Sequence, residues 1–151
     1  KAIQLGARQA REGAVGSYVH TTGKIGVLVE LNCETDFVVR GEAFQRLLKD
    51  LCLQVCGYSP SWVSREEVPD GVLRREREIA EQSEKAKGKP DAVRAKIAEG
   101  MLETFFRQAC LLDQPFRDEK KTVAERVQEV SAQVGEKIAV RRFARLELGG
   151  A

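Results

Sequence analysis

The hydrophobic period of this chain changes from two to about 3.6 within a short stretch, and this change constrains the fold more than any other feature. Ile25, Val27, Val29, Leu31 and Cys33 recur at every second position, which places them on one face of a strand. Phe44, Leu47, Leu48, Leu51, Cys52 and Val55 then recur at i, i+3, i+4, i+7, i+8 and i+11, the spacing of one helix face. A half-buried strand and an amphipathic helix each need a partner layer. The plan that supplies it is α+β, a small antiparallel sheet packed with helices.

The remaining segments extend that plan. Residues 13–20 and 24–33 read as two strands joined by Thr21-Thr22-Gly23, with Gly23 supplying a positive φ. Gly57 and Pro60 are expected to end the first long helix. Ser64 and Glu67 have capping-box spacing, and Pro69 reads as an early helical position. A charged helix is expected over 70–87. Its stripe (Val72, Leu73, Glu76, Ile79, Ala80, Ser83) is thin, and Arg74/Glu78 and Glu81/Lys85 are complementary i,i+4 pairs. Gly88-Lys89-Pro90 breaks it, and Pro90 opens a second helix carrying Val93, Ile97, Met101, Leu102, Phe105 and Ala109 on one side. These two helices form a protruding hairpin over about 70–112, with Pro115 as its stop. Thr122 and Glu125 make a second capping box, Val123, Val127, Val130 and Val134 the next stripe, and Gly135 its end. A last strand returns to the sheet. Ile138, Val140, Ala144, Leu146 and Leu148 share one face, interrupted by Arg142, and Arg141, Phe143, Arg145 and Glu147 share the other.

Composition narrows the function classes. A length of 151 residues suits one domain with a real core. A net charge of +2 argues against electrostatic nucleic-acid binding as the main activity, so no direct nucleic-acid partner is expected. No apolar run approaches the roughly 20 residues of a membrane span, so no membrane partner is expected either. Four cysteines (Cys33, Cys52, Cys56, Cys110) form no CxxC pair and there is one histidine, so neither a metal site nor a cofactor is expected. Cys52 and Cys56 share a helix face and read as buried thiols in a reducing compartment. His20 has no nucleophile or acid at catalytic spacing, and Gly88-Lys89 lacks the rest of a phosphate loop. No catalytic residue is assigned, and an enzyme is not expected.

Between the strand and the first long helix lies Asn32-Cys33-Glu34-Thr35-Asp36-Phe37-Val38-Val39. Two readings of Asp36-Phe37 are open from the residues alone. Thr35 or Asp36 caps a helix and Phe37 staples onto it, or Phe37, outside both periodic stripes, projects as a wedge. The segment Gly26–Val38 resembles the signature of the elongation factor Ts family. The likeness continues at Trp62–Pro69, Gly88-Lys89-Pro90, Leu111–Phe116 and Val140–Phe143, in the family's order and over nearly the whole chain.

The resemblance implies a core (dimerisation) domain over 13–151, with 1–12 a basic lead-in from an N-terminal ubiquitin-associated-like domain that is missing before Lys1. It implies a guanine-nucleotide exchange factor for elongation factor Tu, acting in bacterial cytoplasm or in an organelle. Thr35, Asp36, Phe37, Val38 and Arg40 become the partner-binding residues, with Phe37 entering the GTPase near its magnesium site. Val39 departs from the family, which usually carries a small residue there. Longer members hold two related core subdomains, so a second copy of this chain, joined through strand 138–148 by its edge or its Phe143 face, is the other expected partner. The rival class is a ribosome- or RNA-associated structural module, motivated by Arg141, Arg142 and Arg145 and by the charged helix.

Overall fold

The computed structural model describes residues 7–150, so the first six residues of the expected lead-in lie outside it. The described residues divide into two compact units. One comprises the segments up to Ser59 and from Pro115 onward, and the other is Pro60–Gln114.

The first unit is built on a three-stranded antiparallel sheet in the order β1 (Glu12–Val19), β2 (Ile25–Cys33), β3 (Ala139–Glu147). The β1–β2 connection closes with Gly23 donating to the His20 carbonyl at 2.8 Å, and Gly23 has φ 73° as its position requires. The expected inner face of β2 is buried at Val27, Val29, Leu31 and Cys33. Opposite Val29 on β1 stands Gly16. A Cβ there would lie 2.6 Å from Cγ of Leu48, so the bare backbone lets a helix approach the sheet closely.

A short helix, α1 (Asp36–Val39), follows β2, and α2 (Glu42–Tyr58) covers the sheet. Its buried face holds all six stripe residues together with Gln54 and Cys56. The helix runs past Gly57, contrary to expectation, and Ser59 takes the left-handed cap at φ 46° just before Pro60. Gln54, 1% exposed, accepts from the Arg117 amide at 3.0 Å and donates to the Pro115 carbonyl at 3.1 Å. A polar side chain in the core is thus satisfied on both ends of its amide.

The last strand corrects one sequence expectation. Glu30 pairs with Arg142 but Leu31 pairs with Val140, so Arg141 is an extra, bulged residue. Alternation inverts there. Val140, Phe143 and Arg145 oppose Leu31, Val29 and Val27 on the inner face, and Arg142, Ala144 and Leu146 lie on the outer face. Arg142 therefore interrupts no core face, and its Nε donates to Glu30 Oε1 at 2.8 Å across the ladder. Arg145 reaches the Cys56 carbonyl near the C-terminus of α2 at 3.0 Å.

The second unit holds α3 (Asp70–Glu81) and α4 (Asp91–Ala109), packed on each other as a hairpin. The charged helix is shorter than 70–87. It stops at Glu81, where Gln82 caps it and Ser83 bonds back to the Ala80 carbonyl at 2.7 Å, and turns carry the chain to Gly88. Glu81/Lys85 therefore lies outside helical spacing, and neither it nor Arg74/Glu78 closes as an ion pair among the described residues. Ile79 and Val93 are exposed, while Ala80, Ala98 and Leu102 are buried.

Pro69 and Pro90 each stand just before their helices, with extended ψ. The Ser64–Glu67 capping box is absent. Glu67 Oε1 instead accepts from the Val63 amide at 2.9 Å, in a single 3₁₀ turn over Arg65–Glu67. Pro115 is not the stop of α4. Cys110, extended at φ −106°, ψ 121°, ends it and bridges to Trp62. Arg65 forks onto Glu103 at 2.8–2.9 Å, touches Asp113 at 3.2 Å and lies 4.5 Å over the Phe106 ring. These bonds hold the Glu103 carboxyl below its usual range.

The helix before β3, α5 (Val123–Val134), has the full capping box between Thr122 and Glu125, at 3.1 and 2.8 Å, and ends on Gly135 at φ 72°. Val123, Val127 and Val130 are buried and Val134 is partly so.

Candidate functional site

The β2-to-α2 corner is built from its backbone outward. Thr35 is extended (φ −130°, ψ 151°) and its Oγ1 accepts from the Val38 amide at 3.3 Å, capping α1. Val38 turns its side chain into the core. Arg40 ends the helix, and its guanidinium pairs with the Asp36 carboxylate one turn earlier, both groups exposed. Gln45 of α2 donates to the Val39 carbonyl at 2.7 Å. Phe37, between these fixed neighbours, is 77% exposed. It does not staple onto α2.

Beside the ring lies an open hollow of about 320 Å³ lined by Phe37, Val38, Arg40, Gly41, Ala43, Phe44 and Val134. The exposed aromatic ring thus stands beside a largely apolar hollow. Thr35, Asp36, Phe37 and Arg40 are brought together on this exposed corner, whereas the Val38 side chain anchors it from inside.

The sequence reading missed the residues that tie the corner down. Glu136, in the connection between α5 and β3, accepts from the Glu34 amide at 3.1 Å and the Thr35 amide at 3.0 Å through Oε1. Its Oε2 accepts from the Thr35 hydroxyl at 2.6 Å. Glu34 answers by accepting from the Lys137 amide through Oε2 at 2.6 Å, and the Arg8 guanidinium lies 3.7 Å from the same oxygen. One sequence signal could have revealed Glu136. An acid just beyond a helix C-terminus is disfavoured by the helix dipole, so its partner had to lie elsewhere.

Burial pushes the Cys33 thiol up against the opposing pull of a backbone hydrogen bond from Thr35, and the Glu136, Glu12 and Asp36 carboxylates add to the rise, so it stays protonated at neutral pH. His20 sits in an exposed turn, its Nδ1 bonded to Thr22. No group of three or more His, Cys, Asp or Glu side chains among the described residues is placed to hold a metal ion. No described helix is long and apolar enough to cross a membrane.

A family model described as "Elongation factor TS" matches residues 3–149. The chain belongs to the elongation factor Ts family. An elongation factor Ts of Anaeromyxobacter sp. (strain Fw109-5) is 51% identical over 149 residues, covering 98% of this chain and 68% of that relative. The elongation factor Ts of Anaeromyxobacter dehalogenans (strain 2CP-1) is 50% identical over 143 residues, covering 94% and 65%. That of Geotalea daltonii is 49% identical over 149 residues, covering 98% and 69%. The chain thus spans about two thirds of the length of these relatives. As a member of the elongation factor Ts family it belongs with the translation elongation factors of protein biosynthesis.

Proposed function

We propose that this chain is a guanine-nucleotide exchange module for the translational GTPase elongation factor Tu. The observation that carries the reading is Phe37, exposed on a corner whose flanking backbone is bonded at Glu34, Thr35, Val38 and Val39. Guanine-nucleotide affinity depends on Mg²⁺ bridging phosphate charge to the protein. An aromatic that enters near that ion and shifts the elements holding it weakens nucleotide binding without cleaving a bond. No catalytic group is required. Burying the ring supplies about 2–3 kcal/mol, and Thr35, Asp36 and Arg40 add polar contacts around it. The relatives' bacterial sources support the bacterial cytoplasm as the place of action.

The test is release of fluorescent GDP from elongation factor Tu on mixing with the chain. Accelerated release that slows as GDP or Mg²⁺ is raised is the expected result, because exchange couples the two bindings reciprocally. Binding to the GTPase with no change in GDP release would favour the ribosome-associated alternative instead.

A second partner surface is supported by the outer face of the sheet. Val15, Val19, Leu28 and Leu146 are all exposed there. A two-fold axis through this face would set these apolar residues against their own copies and the Arg142–Glu30 pair beside them, so a second copy of the chain is its proposed occupant. The proposed seam is placed there rather than on the Phe143 face, because Phe143 pairs with Val29 on the inner side of the sheet.

A further inference from the structure

We infer that Glu136 is the positioning residue of the Phe37 wedge, holding it ready for insertion through Thr35. The inference rests on the exchange reading and deepens it. α1 has four residues, far below the roughly 12–15 at which a helix stands alone, so its orientation comes from tertiary bonds. Phe37 contributes little packing of its own.

The bonds at the base of the corner converge on one carboxylate, 101 residues further along the chain. Glu136 takes both successive amides, at Glu34 and Thr35, and the Thr35 hydroxyl proton. The last of these sets the helix cap. A hydroxyl has one proton to give, and giving it to Glu136 leaves the oxygen's lone pairs for the Val38 amide. Glu34 closes the ring of bonds by accepting from the Lys137 amide, so the corner and the α5–β3 connection are latched from both sides. Ser131 Oγ, itself largely buried, bonds the Glu136 carbonyl and fixes the backbone that carries the carboxylate.

Without the carboxylate, two amides and a hydroxyl lose their acceptor, and the corner samples other arrangements. Only the fraction still in the braced arrangement is competent, and apparent affinity falls by that fraction. Glu136 touches no partner in this scheme. Its loss should raise the concentration of chain needed for half-maximal GDP release and leave the maximal rate near wild type. Phe37→Ala should lower the maximal rate.

The experiment titrates the full chain against elongation factor Tu loaded with fluorescent GDP, using wild type, Glu136→Ala, Glu136→Gln, Phe37→Ala and the Phe37→Ala/Glu136→Ala double variant. Amide hydrogen exchange is measured on the same proteins. Glu136→Ala should raise the half-saturating concentration about tenfold and speed exchange of the Glu34 and Thr35 amides by at least that factor, with the Val29 and Leu31 amides unmoved. Glu136→Gln, which keeps an acceptor oxygen, should lose only about two- to threefold. With Phe37 already removed, adding Glu136→Ala should change little, since the two act as one unit.

Wild-type half-saturation in Glu136→Ala would overturn the inference. So would an undiminished effect in the Phe37→Ala background, which would make Glu136 a contact residue, or a general loosening that includes Val29 and Leu31. A wild-type chain that leaves GDP bound sinks the exchange reading itself, which separates the two failures.

Discussion

Two phenylalanines seven residues apart have opposite fates. Phe44 is wholly buried on the inner face of α2, whereas Phe37 is exposed at the corner. The difference predicts opposite phenotypes. Phe44→Ala should lower unfolding free energy by about 3–5 kcal/mol, read from urea unfolding, through lost transfer energy and a cavity. Phe37→Ala should change it by no more than about 0.5 kcal/mol. The same Phe37→Ala variant should reduce GDP release from elongation factor Tu by roughly 30- to 1000-fold, the range for truncating an interface anchor. A destabilised Phe37→Ala protein with intact exchange would restore the staple reading. Hydrophobic periodicity separated these two rings in the sequence, because Phe44 lies on the helix stripe and Phe37 on neither stripe. What periodicity could not supply was the brace, since Glu136 contacts Thr35 across 101 residues.

Elements are joined here by close approach and by caps. Gly16 of β1 admits Leu48 of α2 where any Cβ would collide. Gly16→Val should therefore destabilise the first unit by about 1–3 kcal/mol, visible as a lower urea midpoint at unchanged slope. Wild-type stability in that variant would mean that α2 can retreat without penalty. The capping box of α5 was legible in the sequence because both halves lie within four residues. The Ser64–Glu67 spacing looked alike and failed, because the Glu67 carboxylate bonds the Val63 amide instead. Local patterns thus nominate a cap, and the path of the preceding residue decides whether it forms.

At the scale of the whole molecule, both units bury thiols. Burial pushes Cys52 and Cys110 from 9.0 up to about 11, in Cys110 with help from the Asp113 carboxylate. The unfolded chain loses these protons first as pH rises. Stability contributed by the neutral thiols is therefore full below pH 9.0 and falls between 9.0 and about 11, with a slope of about 1.4 kcal/mol per pH unit per thiol. Urea midpoints at the two ends of that window should drop, and drop less in Cys52→Ala/Cys110→Ala. An equal drop in that variant would assign the loss to other groups. The outer sheet face makes the second prediction at this scale. Leu28→Asp should leave the fold intact, because Leu28 is exposed, and convert a dimer into a monomer by sedimentation. A dimer that survives Leu28→Asp would place the seam elsewhere.

Elements whose signals are local were legible in the residues alone. These are the alternation of β2, the stripe of α2, the Thr122 cap and Gly135 stop of α5, and the α+β plan they require together. The sequence also placed Asp36-Phe37 at a strand-to-helix corner. Tertiary structure alone decided the rest. The bulge at Arg141 inverted the later half of β3 and moved Arg142 from a supposed core face to a cross-strand pair with Glu30, because alternation counts residues and cannot see one left unpaired. The latch of Thr35 by Glu136 was equally hidden. It depends on which distant backbone arrives beside the corner, and that is set by the packing of the sheet and α5, not by any pattern within reach of the corner itself.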